Sequence, residues 1–159
     1  MHRIVSIEDP AELTRYIESW YHARHREQLS WLVDFASKVE RVHGSHPDAP
    51  LGLSQTLRRM IGEIEAHMKK EEAILFPALR NGGEAEIAEP IAVMRRDHAR
   101  HTADIEQIRR LTGGPSLPKD ACRTWATLYE GIDEFIADLE EHIRLEDEVL
   151  FPQFETPRA

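Results

Sequence analysis

Hydrophobic positions recur along this chain in steps of three and four, the rhythm of a helix that turns one face to a core. In the first long segment the stripe runs His22, His25, Leu29, Leu32, Ala36, Val39, His43. The second reads Leu57, Met60, Ile64, His67, Glu71, Ile74, and the third Ile87, Ile91, Met94, His98, His101, Ile105, Ile108. The fourth reads Trp125, Leu128, Ile132, Phe135, Leu139, His142, Glu146, Val149. Between the stripes fall GSHPDAPLG at 44–52, NGGEAE at 81–86 and TGGPSLP at 112–118, mixtures of Gly, Pro and polar residues that make connections. Asp9 as N-cap, Pro10 at the first helical position and Glu12 two residues later form a helix start. No stretch alternates with period two, so no sheet is expected. The pattern predicts an all-α, up-down-up-down antiparallel four-helix bundle in a single domain over 1–159, with helices at about 10–43, 53–80, 86–111 and 118–151.

Stripes of this kind should be apolar, yet each carries histidine and two carry glutamate. A buried, unpaired carboxylate costs several kcal/mol or gives up its charge, so Glu71 and Glu146 need partners. Residues four apart share a helix face, so His67 with Glu71, and His142 with Glu146, each present a nitrogen and a carboxylate to one point. Counting about 1.5 Å per residue along each helix places His22, His67, Glu71 and His98 at roughly the same depth, with His142 and Glu146 slightly lower. The same count leaves His43 roughly 30 Å from His22. One layer thus holds four histidines and two glutamates, more than a tetrahedral zinc uses. Two ions fit better, with Glu71 and Glu146 bridging and His22, His67, His98 and His142 capping. Imidazole plus carboxylate with open positions suits non-haem iron.

The remaining polar positions are expected to support this layer or to face water. His25 and His101 lie on the stripes one step from the layer, where holding a ligand in place or packing in the core is commoner than touching metal. Glu63 and Asp138 each precede a candidate histidine by four residues, as ring-orienting groups, a polar path to the site or solvated positions. Glu72 and Asp147, rotated about 100° from the bridging carboxylates, are expected in water. His43 before Gly44 reads as a helix C-terminal histidine. His2 and His46 are expected to be exposed.

A formal net charge of −9, with no clustered run of Lys or Arg, argues against nucleic acid. No apolar run approaches the roughly 18 residues of a membrane span, and MHRIVSIEDP has no apolar signal core. Cys122 is the only cysteine, which forms no internal disulfide and suits a reducing, cytoplasmic setting.

The repeated His-x-x-x-Glu followed by LFP resembles the hemerythrin-like cation-binding fold. YHARHREQL, KVERVH, HMKKEEAILFPALRNG, PIAVMRRDH, AC-x-x-W and DLEEHIRLEDEVLFP extend the likeness over about residues 15–154. Together they resemble the iron–sulfur cluster repair di-iron proteins. The resemblance implies two non-haem iron ions with an oxo group between them, held by His22, His67, Glu71, His98, His142 and Glu146. It further implies nitric oxide or dioxygen as small ligand, damaged iron–sulfur proteins as partners, and a role in nitrosative or oxidative stress, through nitric oxide reduction or iron donation. A carrier or sensor of oxygen or nitric oxide without turnover is the alternative. Longer members of that family have an N-terminal domain with a cysteine pair, which this chain does not match. Oxygen-carrying hemerythrins have His-x-x-x-His on the third helix, whereas here His101 follows His98 by three.

Overall fold

A computed structural model describes residues 8–83 and 86–155, which form four long helices and no strand; His2 lies outside the described residues. Helix α1 covers residues 10–43 as Pro10–Tyr16, a wider π-helical turn Ile17–His22, and Ala23–His43. Helix α2 covers 53–80, with a π-helical turn at Glu71–Leu75 between Leu53–Lys70 and Phe76–Arg80. Helix α3 is Ala88–Thr112, and α4 covers 123–153 as Arg123–Arg144, a π-helical turn Leu145–Leu150 and a tight last turn Phe151–Gln153. Helix α1 packs on α2 and α4, and α3 packs on the same two, which closes the up-down-up-down bundle.

Local chemistry sets the helix ends. The Asp9 carboxylate accepts from the Ala11 amide at 3.2 Å, with Pro10 beside it at the first helical position. The start of α2 is capped from a neighbour: the Glu40 carboxylate accepts from the amides of Gly52 at 2.7 Å and Ser54 at 2.8 Å. Helix α3 ends at Gly113, whose φ of +70° lets the chain turn out of the helix. The fourth helix starts at Arg123 rather than at 118. Pro118 instead closes a turn with Ala121, and Cys122 is the N-cap, its sulfur accepting from the Trp125 amide at 3.4 Å. The third helix likewise starts two residues later than expected, at Ala88.

Two apolar clusters sandwich the polar layer. The larger includes Leu32, Leu57, Met60, Ile64, Ile108, Trp125, Ile132 and Phe135. At Gly131 the absence of a side chain admits Trp31, whose Cη2 lies 2.2 Å from where a Cβ would stand. The smaller cluster holds Leu13, Ile17, Leu75, Phe76, Ile91, Met94, Leu150 and Phe151 at the other end. The π-helical turns reset the stripe between them. Ile74, expected inside, is 65% exposed, and Leu75 is buried in its place; Val149 likewise gives way to Leu150. A π turn holds one residue more than an α turn, so the inward face slips by one position just past each glutamate.

Candidate metal centre

The structure brings His22, His67, Glu71, His98, His142 and Glu146 together in one layer, all buried, both glutamates with no exposed surface. They form two sets of four, one of His22, Glu71, His142 and Glu146, the other of His67, Glu71, His98 and Glu146. Within each set the donor atoms all lie within 4.8 Å of one another. Each glutamate divides its oxygens between the sets. Glu71 Oε1 is 3.0 Å from His22 Nε2 and 3.8 Å from His142 Nε2, while its Oε2 faces His67 Nε2 at 3.4 Å. Glu146 Oε2 is 2.6 Å from His142 Nε2, while its Oε1 faces His98 Nε2 at 2.9 Å and His67 Nε2 at 3.9 Å.

Several of these atoms face one another without an aligned hydrogen bond. Nε2 of His67 and His98, Oε2 of Glu71 and Oε1 of Glu146 are buried without a hydrogen bond. Four orphaned donor atoms at the centre of a bundle represent a desolvation cost that a cation would remove. The electrostatics agree. Burial opposes protonation of His67, His98 and His142, yet nearby carboxylates outweigh it and raise all three, His98 to about 9. Burial raises Glu71 and Glu146, but the histidine charges and hydrogen bonds around them carry both below the ordinary carboxylate range, Glu146 well below. The pocket is thus built to hold positive charge, and without an ion protons supply it.

The outward nitrogens of these rings are held as well. His22 Nδ1 donates to Glu72 at 2.7 Å, His67 Nδ1 to Asp97 at 3.0 Å and His98 Nδ1 to Asp147 at 2.8 Å. These bonds leave Nε2 free to point inward, the arrangement by which carboxylates orient metal-binding imidazoles. Glu72 and Asp147, expected in water, therefore stand behind the histidines of neighbouring helices. Sequence reasoning also missed Asp97. Their signal was an acid one position off the stripe, at the depth of a histidine on the adjacent helix. Hydrogen bonding to His67 leads the effects that hold Asp97 down, at about 2. Beyond the acids stand arginines: Arg26 on Glu72 at 3.0 Å, Arg100 on Asp97 at 2.9 Å and Arg95 on Asp147 at 3.6 Å.

His142 is held differently. Its Nδ1 faces His25 Nε2 at 2.9 Å, and Tyr21 stacks on its ring with centroids 5.6 Å apart. Asp138 touches no histidine of the layer; it accepts from Arg24 at 2.9 Å and Gln28 at 2.8 Å. Glu63 pairs with Arg59 at 3.5 Å and lines a polar cavity of about 150 Å³ with His67, Lys70, Asp97, Arg100 and His101. His101 packs edge-on to His67, with centroids 5.0 Å apart. His43 ends its helix far from the layer, 3.3 Å from Cys122 Sγ, and His46 sits half-buried on Asp120 at 3.0 Å.

Comparison with known proteins agrees with this geometry. The chain is 48% identical over 143 residues to the iron–sulfur cluster repair protein YtfE of Pectobacterium atrosepticum, covering 90% of this chain and 65% of that protein. It is 47% identical over 141 residues to the YtfE protein of Yersinia pestis, strain Pestoides F, covering 89% and 64%. A probable iron–sulfur cluster repair protein of Haemophilus influenzae is 44% identical over 143 residues, covering 90% and 64%. The chain spans about 65% of the length of the curated relatives it matches. No described helix is long and apolar enough to cross a membrane. Residues 20–154, which contain the whole layer and every acid behind it, match the hemerythrin HHE cation-binding domain, and the chain belongs to that family.

Proposed function

We propose that this chain is a non-haem di-iron protein that takes part in the repair or protection of iron–sulfur centres under nitrosative or oxidative stress. One observation carries the di-metal reading: Glu71 and Glu146 each turn one oxygen toward His22 and His142 and the other toward His67 and His98. Two carboxylates so divided would hold two ions together, each with two imidazole nitrogens and two carboxylate oxygens to bind it. That donor set leaves coordination positions open, as redox-active non-haem iron requires. The repair role rests on relatives named for it, which extend beyond this chain.

Two iron ions bound there would supply one-electron chemistry and open positions for a diatomic ligand, nitric oxide or dioxygen. The chain's own residues do the rest. Glu72, Asp97 and Asp147 fix the ring nitrogens and balance charge; Phe76 and Phe151, stacked on His22 and His98, shield the layer on one side. The cavity lined by Glu63 gives ions or protons a polar approach to His67. We place the protein in a reducing, cytoplasmic setting, in keeping with its single exposed cysteine.

Metal analysis and an absorption spectrum before and after dithionite test the centre. About two irons per chain, with visible bands that bleach on reduction, are expected. One zinc, or no metal, would refute it. Consumption of nitric oxide with added reductant, or passage of iron to an apo iron–sulfur acceptor, would support the repair role. A stable oxygenated form without either activity would identify a carrier or sensor.

A further inference from the structure

The two halves of the layer share their glutamates and match in donor type, but what stands behind their histidines differs. Behind His67 and His98 stand two carboxylates, Asp97 and Asp147. Behind His22 stands Glu72, but behind His142 stands His25. If Nε2 of His142 holds an ion, its Nδ1 carries the proton, and His25 Nε2 must accept it with a lone pair. His25 is then a neutral imidazole, protonated on its own Nδ1.

A carboxylate in this position makes the imidazole a stronger donor and brings a negative charge near the cation; a neutral imidazole brings no charge. An arginine faces each of the three carboxylates, two behind His67 and His98 and one behind His22, and screens part of their charge, but each carboxylate still accepts directly from its ring nitrogen. The next carboxylate behind His25 is Asp138, on the far side of Gln28, which donates to it at 2.8 Å. The connection from His142 to a negative charge therefore passes through two further side chains, His25 and Gln28.

We infer that the centre holds its two ions unequally: tightly at His67 and His98, loosely at His22 and His142, with His25 the positioning residue that sets the difference. The inference rests on the di-metal reading above and adds which ion leaves first. If the protein donates iron, the ion at His22 and His142 is the one transferred, while the other keeps the layer assembled.

The test is stepwise titration of the metal-free full chain with cobalt(II), read by calorimetry and by visible absorption, with far-UV circular dichroism as a check on folding. Shared bridging carboxylates separate two binding steps by charge repulsion alone, so the discriminating result is which step each variant moves. Asp97→Asn should weaken the first step about 10- to 100-fold. His25→Gln should leave the first step within about twofold and weaken the second. His25→Glu, which puts a carboxylate at a similar reach, should tighten the second step and narrow the gap. The asymmetry is overturned if His25→Gln weakens the first step as much as Asp97→Asn does, or if Asp97→Asn moves only the second. A folded wild-type chain that binds no cobalt overturns the di-metal reading and the inference with it. Two bound ions with both variants acting on one step overturns the inference alone.

Discussion

His22-x-x-His25 on α1 and His98-x-x-His101 on α3 are the same spacing on two helices that face each other across the layer, yet their second histidines do different jobs. His25 holds the outward nitrogen of His142, while His101 packs edge-on against His67 and lines the polar cavity. The residue before the first histidine decides between them. On α3 it is Asp97, whose carboxylate reaches His67 Nδ1 and leaves His101 no such role. On α1 it is Tyr21, which lies flat on the His142 ring and leaves Nδ1 to His25. A symmetric spacing thus yields an asymmetric site because the outward nitrogen takes whichever acceptor reaches it first.

The harshest way to break the comparison removes what the halves share. Glu71→Ala or Glu146→Ala takes an oxygen from both sets and leaves the raised histidines facing one another with one central carboxylate in place of two. Metal content measured after gel filtration should fall from about two ions per chain to below about one in either variant. His22→Ala touches one set and should spare an ion. An E71A protein that kept both ions would show that this glutamate bridges nothing.

Acid should act nearly as strongly, and in opposite senses on the loaded and metal-free proteins. In the metal-free chain burial opposes protonation of His98, but the hydrogen bond to Asp147 and the Glu146 carboxylate raise it to about 9. Its folded value lies above its unfolded value of about 6.5, so its contribution to stability is fully present below pH ~6.5 and is lost as pH rises through about 9. Metal needs the neutral ring, so each protein-bound proton it displaces lowers apparent affinity about tenfold per unit as pH falls below that range. The difference in Tm between iron-loaded and metal-free protein should therefore be largest near pH 9 and shrink toward pH 5. A difference that grew toward acid would show that these histidines are not the ligands.

Much of this was legible before the structure, for reasons that also mark where legibility ended. The stripes and the depth count located the six-residue layer because α-helical rise is constant over long helices. The phase of each stripe beyond Glu71 and Glu146 was not legible: each glutamate lies in a π-helical turn, and Leu75 and Leu150 are buried where Ile74 and Val149 were expected. The acids behind the histidines escaped because a ring reaches across to the neighbouring helix, and spacing along one helix says nothing of that. Of Glu63 and Asp138, four residues before a histidine on their own helices, Glu63 lines the polar cavity beside His67, while Asp138 pairs with Arg24 and Gln28. The start of α4 was misplaced because Pro118 resembles a first-turn proline but closes a separate turn.

Glu72→Gln and Asp147→Asn sharpen the comparison further, since these two acids do occupy equivalent places, each one residue past a bridging glutamate. Each should weaken one binding step by about 10-fold, and by similar factors, in a calorimetric titration. Markedly unequal losses would mean that Arg26, which forks onto Glu72 at 3.0 and 3.1 Å, already neutralises that carboxylate.

The smallest expected effect separates His25 from His101 directly. Burial, then the charges of His67 and His98, push His101 down to about 3. Its folded value lies below the unfolded value of about 6.5, so the stability it allows is present above pH ~6.5 and is lost as pH falls toward 3. His101→Gln removes that penalty without removing a bond to a candidate ligand. In the metal-free protein its unfolding free energy from urea titration, relative to wild type, should rise between pH 8 and pH 5 by on the order of 1 kcal/mol. Burial also pushes His25 well below its ordinary value, so His25→Gln gains the same relief in acid. It loses the contact with His142 at every pH, however, and its midpoint should start lower at pH 8. Curves that coincide for the two variants would mean that the neutral imidazole behind His142 does no more than fill space, as His101 does behind His67.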